Sequence, residues 1–187
     1  TPRPELLAGT FNPEIFTASL SRVLGDYAKG RAEPGAASLY SDPVAFFRDA
    51  TYPTQGLCSI LDNVLGRLIQ GDLSRPAMQR MDDSFGGGKT HNLIAVTHVA
   101  YQGDTLTEHL ADIVPPERLG KPGQIRVVGI IGDTVDTLRE GGGGKPKPNT
   151  LWWLIAEQTL NAAERGPIEA RLDDASAPAS EDFFDTL

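Results

Sequence analysis

The residues of this chain best suited to chemistry lie in one run: Ser84-Phe85-Gly86-Gly87-Gly88-Lys89-Thr90-His91. A phosphate-binding loop needs backbone N–H groups turned inward, and glycines allow both the tight curvature and the close approach to an anion. It also needs a lysine for the β- and γ-phosphates, a hydroxyl for Mg²⁺, and a helix whose N-terminus faces the charge. Gly86, Gly87 and Gly88 supply the first, Lys89 and Thr90 the second and third, and the segment after Thr90 the helix. The cofactors this predicts are ATP and Mg²⁺, with Lys89 in the catalytic role and Thr90 on the metal. One departure stands out: the full spacing G-x-x-x-x-G-K-[ST] puts a glycine at position 83, where this chain has Asp83. Aspartate tolerates left-handed backbone better than most residues, but its charge must point away from the phosphates. The competing reading is a glycine-rich structural turn.

A second glycine–lysine run, Gly141-Gly142-Gly143-Gly144-Lys145, lacks the chemistry. Pro146 stands where a hydroxyl is needed, and Pro148 prevents an immediate helix. It reads as a linker. Hydrolysis also needs an acidic residue after a hydrophobic strand to hold Mg²⁺. Asp133 is the in-chain candidate metal ligand, but Thr134 follows it where a second acid is wanted; the alternative is a polar residue closing a strand. His91 opens the helix after the loop and so can sit near the phosphates. His91 and His98 lie about two turns apart on one face, yet two histidines make a poor metal site and suit packing at the core edge.

These residues need elements to hold them. Asn12-Pro13 has the form of a helix N-cap and first position, followed by Ile15, Phe16, Leu20, Val23 and Leu24 at helical spacing. Asp42-Pro43 opens a short helix through Phe46 and Phe47. Thr54 caps a longer one carrying Leu57, Leu61, Leu65 and Leu68 and ending near Gly71. Ala77 to Met81 and Gln124 to Ile131 are strand candidates, the second an almost continuous apolar run suited to a buried parallel strand. Between them come the Gly-rich loop, an amphipathic helix stopping at Gly103, and a short helix started by Thr105 to Glu108. The predicted fold class is α/β: an incomplete P-loop NTPase βαβ core, AAA-like, preceded by a helical N-terminal region. The expected divisions are 1–75 (helical), 76–140 (βαβ unit), 141–149 (linker) and 150–187 (a helical segment that reads as cut). A start at Thr1 without methionine fits a trimmed chain, and two strands are too few for a full P-loop sheet. The 187 residues therefore read as a front fragment.

Composition narrows the classes. Seventeen basic and twenty-five acidic residues give a net charge of −8, which excludes a generic basic nucleic-acid coat. A single cysteine, Cys58, excludes an intramolecular disulfide framework and a Cys-based zinc site. No apolar run approaches the roughly 20 residues that span a bilayer, so the expected location is cytoplasmic with no membrane contact.

The loop from Ser84 to His91 resembles that of the large bacterial and archaeal ATPases carrying domain of unknown function 499. Thr1-Pro2-Arg3-Pro4-Glu5-Leu6-Leu7, Asp42-Pro43 with Phe46-Phe47, Thr51-Tyr52-Pro53-Thr54 with Gly56-Leu57, and Thr150-Leu151-Trp152 are similar to that family too. The resemblance implies an AAA-type P-loop ATPase, several times longer than this chain, encoded beside DNA methyltransferases in phage-defence islands. It implies that the Asp-Glu strand and any arginine finger lie beyond Leu187, and that homo-oligomers build the site between subunits. It implies further that Tyr52 and Pro53, as linker residues before the core, flank the adenine; a stiff Tyr-Pro turn packing the helical region is the alternative. Three functions stay open: an ATPase of a methyltransferase-associated defence system, a non-hydrolysing scaffold that docks a partner such as the methyltransferase, and a phosphotransferase acting on a small acceptor.

Overall fold

The computed structural model describes residues 17–82, 88–132, 151–161 and 163–165. The chain divides into two units, 1–125 and 126–187, and each is described by itself.

The first unit is helical. Helix α1, Leu20–Ala28, starts at Ser19, whose hydroxyl accepts the Arg22 N–H at 3.3 Å. Asn12 and Pro13, the expected start, lie outside the described residues. Helix α2, Pro43–Ala45, is capped as expected by Asp42: one carboxylate oxygen accepts from Val44 and Ala45 at 2.9 Å each. The other oxygen accepts the Gly35 N–H at 2.7 Å, folding the preceding loop back onto the cap. The chain then widens into a π-helical turn, Phe46–Ala50, which buries Phe46 and Phe47. The Thr51 hydroxyl donates to the Phe46 carbonyl at 2.8 Å, and Thr51 itself is extended (φ −111°, ψ 130°), as the approach to Tyr52-Pro53 requires.

Helix α3, Gln55–Leu68, is capped by the Thr54 hydroxyl, which accepts from Leu57 N–H at 3.2 Å. It buries Leu57, Leu61 and Leu65, one turn apart. Helix α4, Lys89–Gln102, packs against both α1 and α3. From Ile94 to Ala100 only Val96 is less than fully buried, so the helix is central to the unit and does not show the amphipathic pattern expected. Gly103 stops it at φ +53°, where an added Cβ would collide with the Gly120 carbonyl oxygen. The capping box expected at Thr105 does not form. The chain runs on as a 3₁₀-helix, Gly103–His109, and the Thr105 hydroxyl donates back to Gln102 C=O at 2.9 Å. A 3₁₀ turn, Pro116–Arg118, follows. Val23, Phe46, Leu57, Leu61, Ile94, Leu106, Leu110 and Val114 make up the fully buried apolar centre. Each such side chain contributes about 1.5–3 kcal/mol by leaving water. At its edge Asp62 pairs with both Arg75 and Arg118, tying α3 to the turns on either side of α4.

In the second unit helix α5, Leu151–Thr159, buries Ala156, and Leu160 just after it is also buried.

The expected α/β class is not what forms. Among the described residues there is no β-strand and no sheet, so no βαβ core is present. Residues 77–81 carry no regular structure, and Met78 is 84% exposed, so no face of this segment is buried as a strand would need. Residues 124–131 carry none either, and Ile130 is 41% exposed. An apolar run becomes a strand only where a neighbouring strand takes up its N–H and C=O groups. At Gly129 a side chain takes up both: the Gln158 amide accepts from its N–H at 2.9 Å and donates to its C=O at 3.1 Å. The glycine–lysine run 141–149, Asp133 and residues 166–187 lie outside the described residues.

Candidate functional site

The site is built at the N-terminus of α4. Gly88 is the N-cap residue, held at φ +76° and ψ +13°, a left-handed conformation that costs glycine little and other residues more. It has no side chain with which to cap, and a Cβ placed there meets nothing within 4 Å. The first intrahelical hydrogen bond of this end runs from Asn92 N–H to Gly88 C=O at 2.9 Å, so the amides of Lys89, Thr90 and His91 precede the helical ladder. Lys89 is half-buried as the first helical residue, and Thr90 is exposed beside it. An uncapped end of a 14-residue helix carries partial positive charge and attracts anions.

His91 anchors that end to the core. Its ring stacks on Phe46, with centroids 4.5 Å apart, and meets Tyr40 edge-on at 6.1 Å. Its Nε2 lies 3.0 Å from the Thr51 hydroxyl. Because that hydroxyl gives its hydrogen to Phe46 C=O, Nε2 must be the donor and Nδ1 the bare nitrogen. Desolvation lowers the His91 pKa, which keeps the ring neutral.

About two turns further in, His98 is fully buried. Its Nε2 donates to Tyr40 C=O at 3.0 Å, and its Nδ1 accepts from the Tyr27 hydroxyl at 2.6 Å. Both nitrogens are used in the neutral form, and burial pulls the pKa down to about 4. His98 is thus a structural residue, as its expected place at the core edge suggests, and buried more deeply than that. Among the described residues no group of three His, Cys, Asp or Glu side chains could hold a metal ion.

Of the residues singled out from the sequence, Gly88, Lys89, Thr90 and His91 come together at the helix end. Ser84, Phe85, Gly86 and Gly87 lie outside the described residues, as does Asp133. Tyr52 and Pro53 are exposed, Tyr52 at 78%, and the Thr51–His91 contact brings the segment they belong to against the first turn of α4. Thr51, Phe46 and Tyr40 were missed by sequence reasoning. A threonine before Tyr-Pro carries no periodic signal, and nothing local announces that it meets a histidine 40 positions away.

The geometry defines a helical module whose central helix starts at a left-handed glycine and packs its first turn on aromatic rings. The chain belongs to the family described as the DUF499 N-terminal domain, which matches residues 14–121, more than half of its length. No curated protein and no solved structure matches it. Among the described residues no helix is long and apolar enough to cross a membrane.

Proposed function

We propose that this chain is the ATP-binding part of an ATPase, with the triphosphate held over the N-terminus of α4. The observation that carries this is Gly88 in the left-handed region at an uncapped helix end, directly followed by Lys89 and Thr90. In this reading the glycine run Gly86 to Gly88 lets the backbone approach the phosphates, and Lys89 offsets their charge. Thr90, exposed beside it, would offer its hydroxyl to Mg²⁺, which would neutralise phosphate charge there. In this reading Tyr52, exposed and next to Thr51, flanks the base. The helical frame supports the helix end: α1 and α3 pack on α4, and Phe46 and Thr51 hold His91.

In the longer proteins that the sequence resembles, the bound ATP would be hydrolysed to drive a conformational step. The setting is an AAA-type ATPase of a DNA-methyltransferase-associated anti-phage system, cytoplasmic and acting as a homo-oligomer. Titration calorimetry tests the binding step. The chain should take up Mg-ATP at one site per molecule, and Lys89→Ala should weaken that binding about ten-fold or more. Equal heats from both proteins would refute the assignment.

A second reading is a non-hydrolysing scaffold that docks a partner such as the methyltransferase. It is favoured by the apolar side chains of Leu68, at the end of α3, and of Leu73 and Met78, in the segment that follows, exposed at 56%, 77% and 84%. Partner capture that is indifferent to nucleotide and to Lys89→Ala would select this reading over the first.

A further inference from the structure

The backbone N–H groups of Lys89, Thr90 and His91 precede the first ladder bond of α4, which runs from Asn92 N–H to Gly88 C=O at 2.9 Å. Gly88 brings no side chain to cap them. Helix ends of this kind fray, because a residue that leaves the first turn regains backbone freedom and gives its polar groups to water. Glycine at the N-cap adds to this, having the most freedom to regain. A cap is therefore not what holds the first turn.

His91 supplies an anchor in its place. It is the third residue of α4, and its ring lies on the fully buried Phe46 with 29° between the planes. Its Nε2–H is given to Thr51, which is itself held by the bond from its hydroxyl to Phe46 C=O. Phe46 also meets the His98 ring at 5.0 Å, about two turns further along the same helix. The first turn is thus fastened at one residue in two ways, by a ring and by a hydrogen bond, to groups that are buried or tied to the core. Both attachments oppose fraying at the position where the free amides lie.

We infer, on the reading of this helix end as the triphosphate site, that His91 is a positioning residue for it. The His91 side chain touches no phosphate and acts through the backbone, keeping the amides of Lys89, Thr90 and His91 aligned before the ligand arrives. A site formed beforehand gives up less freedom on binding. One that is formed only part of the time binds more weakly in proportion to the fraction formed. His91 therefore sets affinity without a contact of its side chain, whereas Lys89 sets it by its charge.

The test compares the whole chain with His91→Ala, which removes both attachments, and with His91→Phe, which keeps a ring on Phe46 and loses the donor. Amide hydrogen exchange at Asn92 reports whether the first turn is formed, with the buried Val99 of the same helix as reference. In His91→Ala, Asn92 should exchange almost as an unstructured amide while Val99 stays protected. Calorimetry should give a Kd for Mg-ATP raised about five-fold, in step with the opened fraction. Saturating Mg-ATP should then return protection to Asn92. His91→Phe should fall between parent and His91→Ala, and it carries the comparison if His91→Ala does not fold. Mg-ATP binding that neither variant weakens, Asn92 protection equal to the parent's in both, or weakened binding with Asn92 still unprotected at saturation overturns the positioning role and leaves ATP binding standing. No binding of Mg-ATP by the parent overturns both.

Discussion

The His91 imidazole donates to the Thr51 hydroxyl at 3.0 Å, and that hydroxyl passes its own hydrogen to the Phe46 carbonyl at 2.8 Å. This relay joins the π-helical turn, the Tyr52-Pro53 segment and the first turn of α4. It is the contact that ties the segment of the exposed Tyr52 to the helix end.

Thr51→Val keeps the shape and removes the relay. It leaves the Phe46 carbonyl and the His91 Nε2–H without their partner, at a cost of about 1–2 kcal/mol in urea unfolding. If the relay also positions the α4 terminus for ATP, calorimetry should show Mg-ATP binding weakened several-fold. Unchanged stability would show that the contact does not hold the turn.

Acidification should unfold the protein through His98. Its folded pKa of about 4 lies below the ordinary 6.5, so the unfolded chain binds more protons between those values. Its contribution is therefore complete above about pH 6.5 and is lost as pH falls towards 4. By pH 4.5 the loss should be on the order of 2 kcal/mol relative to neutral pH. The lowered pKa of His91 adds loss of the same sign. Asp26, also lowered, acts in a separate window: its contribution is present above about 3.8 and lost only below it. Urea midpoints at pH 7 and pH 4.5 check this, and equal midpoints would mean that His98 is not buried neutral.

Asp42→Ala removes the acceptor for three backbone N–H groups, those of Gly35, Val44 and Ala45. The expected loss is about 2 kcal/mol. Asp42→Asn keeps one acceptor oxygen and should lose about half as much. Chemical unfolding of the two variants side by side gives the comparison.

Gly103→Ala combines an unfavourable left-handed backbone with a collision against the Gly120 carbonyl. Gly30→Ala is the control, since it has a similar φ of +63° and nothing within 4 Å of the added methyl. The control should cost about 1 kcal/mol and Gly103→Ala at least twice that, read from thermal midpoints. Equal losses would remove the steric part of the argument.

Much of the helical frame was legible because its signals are local. Asp42-Pro43, the Thr54 cap, the Leu57, Leu61 and Leu65 stripe and the Gly103 stop each depend on residues within a turn or two. The sheet was misread because the apolar run before Gly132 states a need for burial, not the presence of a partner strand. Helix α4 was misread as amphipathic because Thr97 and His98 look like a solvent face. They are buried because Thr97 donates to Leu93 C=O at 2.8 Å, while Tyr27 and Tyr40 satisfy both nitrogens of His98. At the candidate site the order Gly88, Lys89, Thr90, His91 at a helix start was readable. The aromatic and hydroxyl groups that fix it come from 40 positions away and were not.

The most direct test of ATP binding over α4 is a thermal melt with Mg-ATP, run on the parent chain and on Lys89→Ala. At about a thousand times Kd, a ligand that binds only the folded form stabilises it by about 4 kcal/mol. For a chain of this size that is an upward shift on the order of 10 °C. The account predicts that shift in the parent and little or none in Lys89→Ala. No shift in the parent, or the same shift in both, would contradict it.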